Sequence, residues 1–206
     1  MVQTLLATQI TLRDLIDRFG LRLVRDDQFF REWQDNLPEI TDSQKQFLDQ
    51  IKEGYFNLID CPPLLEKAIQ ISVVSPILFL AGFYLAPFQI RAEESVEIVA
   101  EEDDLVIRGQ LDILLIKEQF WVMVIETKRA AFSIEAGLAQ LLAYMLANPH
   151  PHKSGFGLIT TGGSFMFIKL AQNDGPRYAT SKIFELRNPG NDLYDVFRIL
   201  KHISEL

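Results

Sequence analysis

Gly109-Gln110-Leu111-Asp112-Ile113-Leu114-Leu115-Ile116 and, shortly after it, Trp121-Val122-Met123-Val124-Ile125-Glu126-Thr127-Lys128 decide how this chain is read. The first segment is a strand-like run with one acid set among aliphatic side chains, and the second is a short apolar run of the buried-strand kind that ends in two charges. Glu118-Gln119 supplies a reversal between them, so an antiparallel hairpin is expected. Asp112 then lies six residues before the turn centre and Glu126 eight after it. Given a modest bulge or offset, the two stand close across the ladder. Strand side chains alternate, so Glu126 and Lys128 share a face.

A carboxylate among aliphatic residues is costly unless it is paired or holds a cation. Two carboxylates beside a lysine suit Mg²⁺ (or Mn²⁺), which prefers oxygen ligands and keeps waters that can be activated. The same residues also suit a plain ion pair of Lys128 with Asp112 or Glu126 at the end of a sheet. Acid-x-Lys is itself uninformative: with 28 acidic residues in 206 it is expected about once by chance, and Glu126-Thr127-Lys128 is that one occurrence. The strand context carries the reading.

Working outward, Leu12, Leu15, Ile16 and Phe19 sit at helical spacing before a stop at Gly20, and a second helix fits Thr41 to Ile51, capped by Thr41 or Asp42. Residues 1–60 are therefore read as a helical N-terminal extension packed on a domain spanning 61–206. Phe29, Phe30 and Trp33 are read as core aromatics. Pro62 and Pro63 suit the first turn of a helix running to Ile71, which Pro76 breaks or kinks before Leu78 to Phe83. Phe88 to Val99 and Leu105 to Ile116 read as strands reversed at Asp103-Asp104. Ile134 to Leu146 reads as a helix. Phe156 to Thr160 and Phe165 to Leu170 read as strands joined by Thr161-Gly162-Gly163-Ser164. A last helix covers about Asn191 to Ile203. The order helix, three strands, helix, two strands, helix describes an α/β or α+β mixed sheet flanked by helices.

The net charge of -8 runs against a nucleic-acid partner, but residues 105–206 carry 11 basic and 9 acidic side chains, so the half holding the candidate site is the less repulsive one. The longest apolar candidate, Ile69 to Phe83, is interrupted by Gln70, Ser72, Ser75 and Pro76, and the first residues show no basic segment followed by an apolar run. A soluble, cytoplasmic protein with no membrane partner is expected. The single cysteine, Cys61, excludes an internal disulfide. His150 and His152 lack a companion ligand at suitable spacing and are set aside as a metal site. With no Gly-x-x-x-x-Gly-Lys-[Ser/Thr] loop in the sequence, neither a nucleotide cofactor nor an ATP-driven motor is expected.

Asp112, then Glu126-x-Lys128 at the end of the following strand, then a helix with Gln140 and Tyr144 one turn apart, resembles the PD-(D/E)XK nuclease superfamily (restriction endonuclease-like). The Gln-x-x-x-Tyr element is similar to that of its RecB-like branch. The match spans roughly Leu64 to Leu170 and fits the superfamily's α-β-β-β-α-β core, with Glu66 on the first core helix. Phe30-Arg31-Glu32-Trp33 and Ala92 to Ile98 resemble mainly cyanobacterial proteins named after the R subunit of type I restriction enzymes. The chain departs from the motif at its first letter, because Leu111 stands where the proline would be.

The resemblance implies a metal-dependent endonuclease that hydrolyses DNA phosphodiester bonds. Asp112, Glu126 and the carbonyl of Thr127 would hold Mg²⁺ (or Mn²⁺), with Glu66 reaching it through water. Lys128 would act on the attacking water or the phosphate, with Gln140 in the same catalytic group. Arg129, Lys153 and Tyr144 are the candidate nucleic-acid contacts, although Tyr144 suits helix packing equally well. Cutting both strands of a duplex would call for a homodimer. The competing reading is a binding or assembly module that kept the fold without turnover.

Overall fold

In the computed structural model, which describes residues 3–60, 65–100, 105–129 and 133–206, the strand-like stretches become strands of one sheet. The chain opens with β1 (Gln3–Leu6), a short 3-10 turn and α1 (Leu12–Phe19). Thr11 caps α1 by accepting from the Asp14 N–H at 3.1 Å while Asp14 accepts from the Thr11 N–H, and Gly20 ends it in the left-handed conformation at φ 67°. β2 (Arg22–Leu23) follows, then α2 (Asp42–Ile59), for which Thr41 is the cap. This helix outruns the expected end at Ile51 because Tyr55, a turn further on, is also buried in the core.

α3 (Glu66–Ile69), a π-helical turn over Gln70–Val74 and α4 (Ser75–Leu80) form one continuous helical run. Of the break or kink expected at Pro76, the break does not occur. The proline has no N–H to offer and its ring crowds the carbonyl one turn back, and the wider turn before it, in which the Ser75 N–H donates to the Gln70 carbonyl, accommodates both. The helix start expected at Pro62-Pro63 and the reversal expected at Asp103-Asp104 lie outside the described residues.

β3 (Phe88–Ala100), β4 (Leu105–Lys117) and β5 (Phe120–Thr127) form an antiparallel meander, and α5 (Leu138–Leu146) carries the chain across to β6 (Gly155–Thr160), which lies parallel to β5. β7 (Ser164–Ala171), β8 (Arg177–Thr180) and β9 (Phe184–Glu185) continue antiparallel, and α6 (Leu193–Glu205) closes the chain. The sheet order is β1-β4-β5-β6-β7-β8-β2, with β3 on the other edge of β4 and β9 beside β7.

The first sixty residues are not helical throughout, as the sequence pattern suggested. β1 pairs in parallel with Leu105 to Arg108, the part of β4 that extends past β5, and β2 pairs with β8. Available ladder partners decide such short strands, and no local pattern announces them. One apolar core joins α2, α3, α4 and α6 to a sheet face through residues such as Leu48, Val73, Ile125 and Phe197. The other joins α1 and α5 to the opposite face through Leu15, Val124, Leu142 and Ile168. The architecture is thus a mixed α/β sheet with helices on both faces. No helix among the described residues is long and apolar enough to cross a membrane.

The aromatic segment of the N-terminal region is core, as expected. Phe30 is buried, Trp33 meets Phe184 edge-on at 6.3 Å, and Glu32 accepts a 2.5 Å bond from Lys169, whose ammonium also lies over the Phe29 ring. This clamp ties residues 29–33 to the sheet.

Candidate active site

The β4–β5 hairpin sets the site. The ladder pairs Lys117 with Phe120 and Ile116 with Trp121, then shifts, so that Leu115 faces Met123 and Ile113 faces Ile125. Val122 is the extra residue of this bulge. Continued by one residue, the register puts Asp112 opposite Glu126, where Cβ atoms lie about 4.5–5.5 Å apart. Without the bulge Asp112 would face Ile125 instead.

A second irregularity falls on Asp112 itself. Ile107 and Leu111 pack with Leu114 and Ile116 in one core, whereas Ile113 and Leu115 pack in the other, so the strand changes face at Asp112. Opposite it on β3, Glu93 leaves the ladder with φ 57°. The Gln110 amide donates to the Glu93 carbonyl at 2.9 Å and Lys67 of α3 reaches the Glu93 carboxylate at 2.6 Å, which pins the distorted point under the helix.

Asp112 Oδ2 accepts from the Thr127 N–H at 2.7 Å. Glu126, only 3 % exposed, accepts at Oε1 from both Lys128 Nζ and Gln140 Nε2, each at 2.7 Å. Lys128 also donates to Gln140 Oε1 at 2.6 Å. Gln140 donates its second N–H to the Tyr144 hydroxyl at 2.8 Å, and Tyr144 in turn donates to the Gln110 carbonyl at 3.1 Å. Every donor in this chain points in a consistent direction, so each side chain fixes the orientation of the next. The Lys128 backbone N–H is held by the Thr160 carbonyl at 2.8 Å, which anchors the residue after its strand ends.

Glu126 Oε2 and the Thr127 hydroxyl oxygen are buried without a hydrogen-bond partner among the described residues. Burial, followed by the Asp112 charge, pushes the Glu126 carboxyl up to about 7, while Lys128 pulls against the shift and Glu66 adds to it. Burial and then the Glu126 charge push the Tyr144 hydroxyl up to about 12, so it stays a neutral donor.

Of the residues singled out by sequence, Asp112, Glu126, Thr127, Lys128, Gln140 and Tyr144 are brought together, and Glu66 opens α3 near enough for its charge to act on Glu126. Two expected nucleic-acid contacts do not fit that role at this site. Tyr144 is 1 % exposed, and its hydroxyl both accepts and donates within the protein. Lys153 lies over the Phe120 ring at 3.7 Å, at the opposite end of β5 from Glu126. Arg129 is exposed immediately after Lys128. Sequence reading missed Gly109, where an added Cβ would lie 2.6 Å from Tyr144 Cε1 and 2.7 Å from the Ala7 methyl. An isolated glycine inside a strand pattern is the signal that marks such a close approach.

Among the described residues no three His, Cys, Asp or Glu side chains converge as a metal-holding group. The acids here are a pair, Asp112 and Glu126, so a cation would complete its shell with carbonyl and water oxygens. Mg²⁺ is ordinarily held in that way, by one or two carboxylates. The unpartnered, buried Glu126 Oε2 fits that demand for an oxygen ligand. A scan of the sequence against protein-family models finds no match, and a search of the curated proteins finds none either.

Proposed function

We propose that this chain is a metal-dependent endonuclease of the PD-(D/E)XK type that hydrolyses DNA phosphodiester bonds. The observation that carries the reading is the place of Asp112 and Glu126 one residue beyond the last ladder pair of a bulged hairpin, with one buried Glu126 oxygen left free of donors and Lys128 on the same network. The element order Glu66 helix, β3, β4, β5, α5, β6 also agrees with the core that the sequence motif implies.

Asp112 and Glu126, with the Thr127 carbonyl, would hold Mg²⁺ or Mn²⁺, and Glu66 would reach it through a water. The ion's chemistry there is to polarise a phosphoryl oxygen and to acidify a bound water. Asp112 is oriented for this by the Thr127 N–H, which leaves its other carboxylate oxygen for the ion. Lys128 supplies positive charge beside the scissile phosphate, and Gln140 holds its ammonium in place. Tyr144 fixes Gln140 from behind. Arg129, exposed at the strand end, would meet the DNA backbone. A homodimer would give the two centres that duplex cleavage needs.

One observation favours a second reading. Lys128 already neutralises Glu126 at 2.7 Å, the closed pair expected of a nuclease fold kept for assembly without turnover. Supercoiled plasmid separates the two. With Mg²⁺ or Mn²⁺ the protein should nick or linearise it, and Glu126→Ala and Lys128→Ala should each abolish that activity. Cutting that persists in both variants contradicts the assigned site, and no cutting by the wild type under any divalent ion supports the assembly reading.

A further inference from the structure

Gln70 is a buried amide that neither the sequence motif nor the hydrogen-bond network accounts for. It is 8 % exposed, and its Nε2 has no partner among the described residues. A buried N–H₂ left without an acceptor costs free energy, so a fold keeps one where a ligand supplies the acceptor or packing offsets the loss.

Its neighbours on the helix fix where it points. Ile69 lies against the position of Gly162, just past the end of β6, where an added Cβ would be 2.9 Å from the Ile69 side chain. Lys67 reaches Glu93 on β3. At 100° per residue, the direction of Gln70 falls between those of Ile69 and Lys67 and within about 40° of Glu66. Between β6 and β3 the sheet holds β5 and β4. Gln70 therefore lies one turn after Glu66, on the side of the helix between the residues that meet the end of β6 and β3. Thr127, which extends the Met123 and Ile125 row packed beneath this helix, carries a buried hydroxyl that is likewise unpartnered among the described residues. Gln70 also begins the π-helical turn, a distortion often found at functional sites.

Asp112, Glu126 and Glu66 are all acceptors, and Lys128 commits donors to Glu126 and Gln140. The site as built thus calls for a further neutral donor wherever an anionic oxygen is to be held among carboxylates. We propose that the Gln70 amide is that donor, a substrate-contacting residue whose N–H₂ binds a non-bridging oxygen of the phosphodiester being cut. The proposal rests on the nuclease reading above. An uncharged donor holds such an oxygen without competing with the ion for the acids.

Gln70→Met keeps the volume and removes the amide, and Gln70→Glu keeps the shape and removes the donor. Each is compared with the wild type in three measurements: melting temperature in EDTA, the rise in melting temperature on adding Mg²⁺, and the rate of plasmid nicking. Gln70→Met should melt no lower than the wild type, keep the Mg²⁺ rise, and nick about 10- to 100-fold more slowly. Gln70→Glu should be at least as slow while also keeping the Mg²⁺ rise. Wild-type nicking rates in both variants overturn the proposal, as does loss of the Mg²⁺ rise in both, which would place Gln70 at the cation instead of the substrate. A wild-type chain that neither nicks nor responds to Mg²⁺ removes the nuclease reading itself, and this proposal with it.

Discussion

Asp112 accepts a hydrogen bond from the backbone N–H of Thr127 at 2.7 Å, fastening β4 to the end of β5 where the ladder no longer pairs them. One carboxylate thereby serves two purposes: it closes the hairpin register that the Val122 bulge sets, and it stands opposite Glu126. Asp112→Asn keeps an acceptor for the Thr127 N–H and should melt within a few degrees of the wild type, whereas plasmid cutting should fall at least a hundredfold. Asp112→Leu removes the acceptor and should also lose about 1–3 kcal/mol of stability in urea.

Glu126 makes stability depend on pH in a defined direction. Its folded-state value, about 7, lies above the ordinary glutamate value of 4.5. The folded protein therefore holds this proton more tightly than the unfolded chain, and stability is lost as pH rises from about 4.5 through about 7. The full shift corresponds to roughly 3 kcal/mol. Urea unfolding in EDTA at pH 5 and pH 8 should show that drop in the wild type and a much smaller one in Glu126→Gln. Equal slopes in the two proteins would show that Glu126 ionises normally.

Gly109→Ala tests how tightly Tyr144 is held. The new methyl would lie 2.6 Å from Tyr144 Cε1, inside any tolerable contact. Overpacking of this kind costs about 1–3 kcal/mol, and displacing Tyr144 releases Gln140 from one of its bonds. A lower melting temperature together with slower nicking is expected, and a variant that matches the wild type in both would show that the tyrosine has room to move.

Away from the site, Glu32 and Lys169 form a pair whose side chains are 21 % and 16 % exposed. Glu32→Ala leaves the lysine without its carboxylate and should cost about 1–3 kcal/mol in urea unfolding while plasmid cutting is unchanged. Loss of cutting at unchanged stability would give the Phe29 to Trp33 segment a functional role beyond packing.

The parts of the structure legible in the sequence are those carried by local periodicity. The loose alternation of β3, the apolar runs of β4 to β7, the cap at Thr41 and the stop at Gly20 all lie in short stretches of sequence, and so does the hairpin that brings Asp112 near Glu126 once a bulge is allowed. β1 and β2 were not legible, because each is a strand only by virtue of a distant partner, Leu105 to Arg108 for β1 and the start of β8 for β2. At Pro76, where a break or a kink was expected, the strong local rule is met by a π turn within a continuous helical run. Lys153 and Tyr144 could not be placed by type alone. Whether a lysine meets a phosphate or a ring, and whether a tyrosine faces solvent or a strand, is decided by packing.

The account stands most directly on Asp112 and Glu126 as a pair of cation ligands, and Mn²⁺ titration followed by electron paramagnetic resonance in the absence of DNA measures this. The wild type should bind one or two Mn²⁺ per chain, and Asp112→Asn and Glu126→Gln should each weaken that binding at least tenfold while remaining folded. A wild type that binds no Mn²⁺, or binding that both variants leave unchanged, would contradict it.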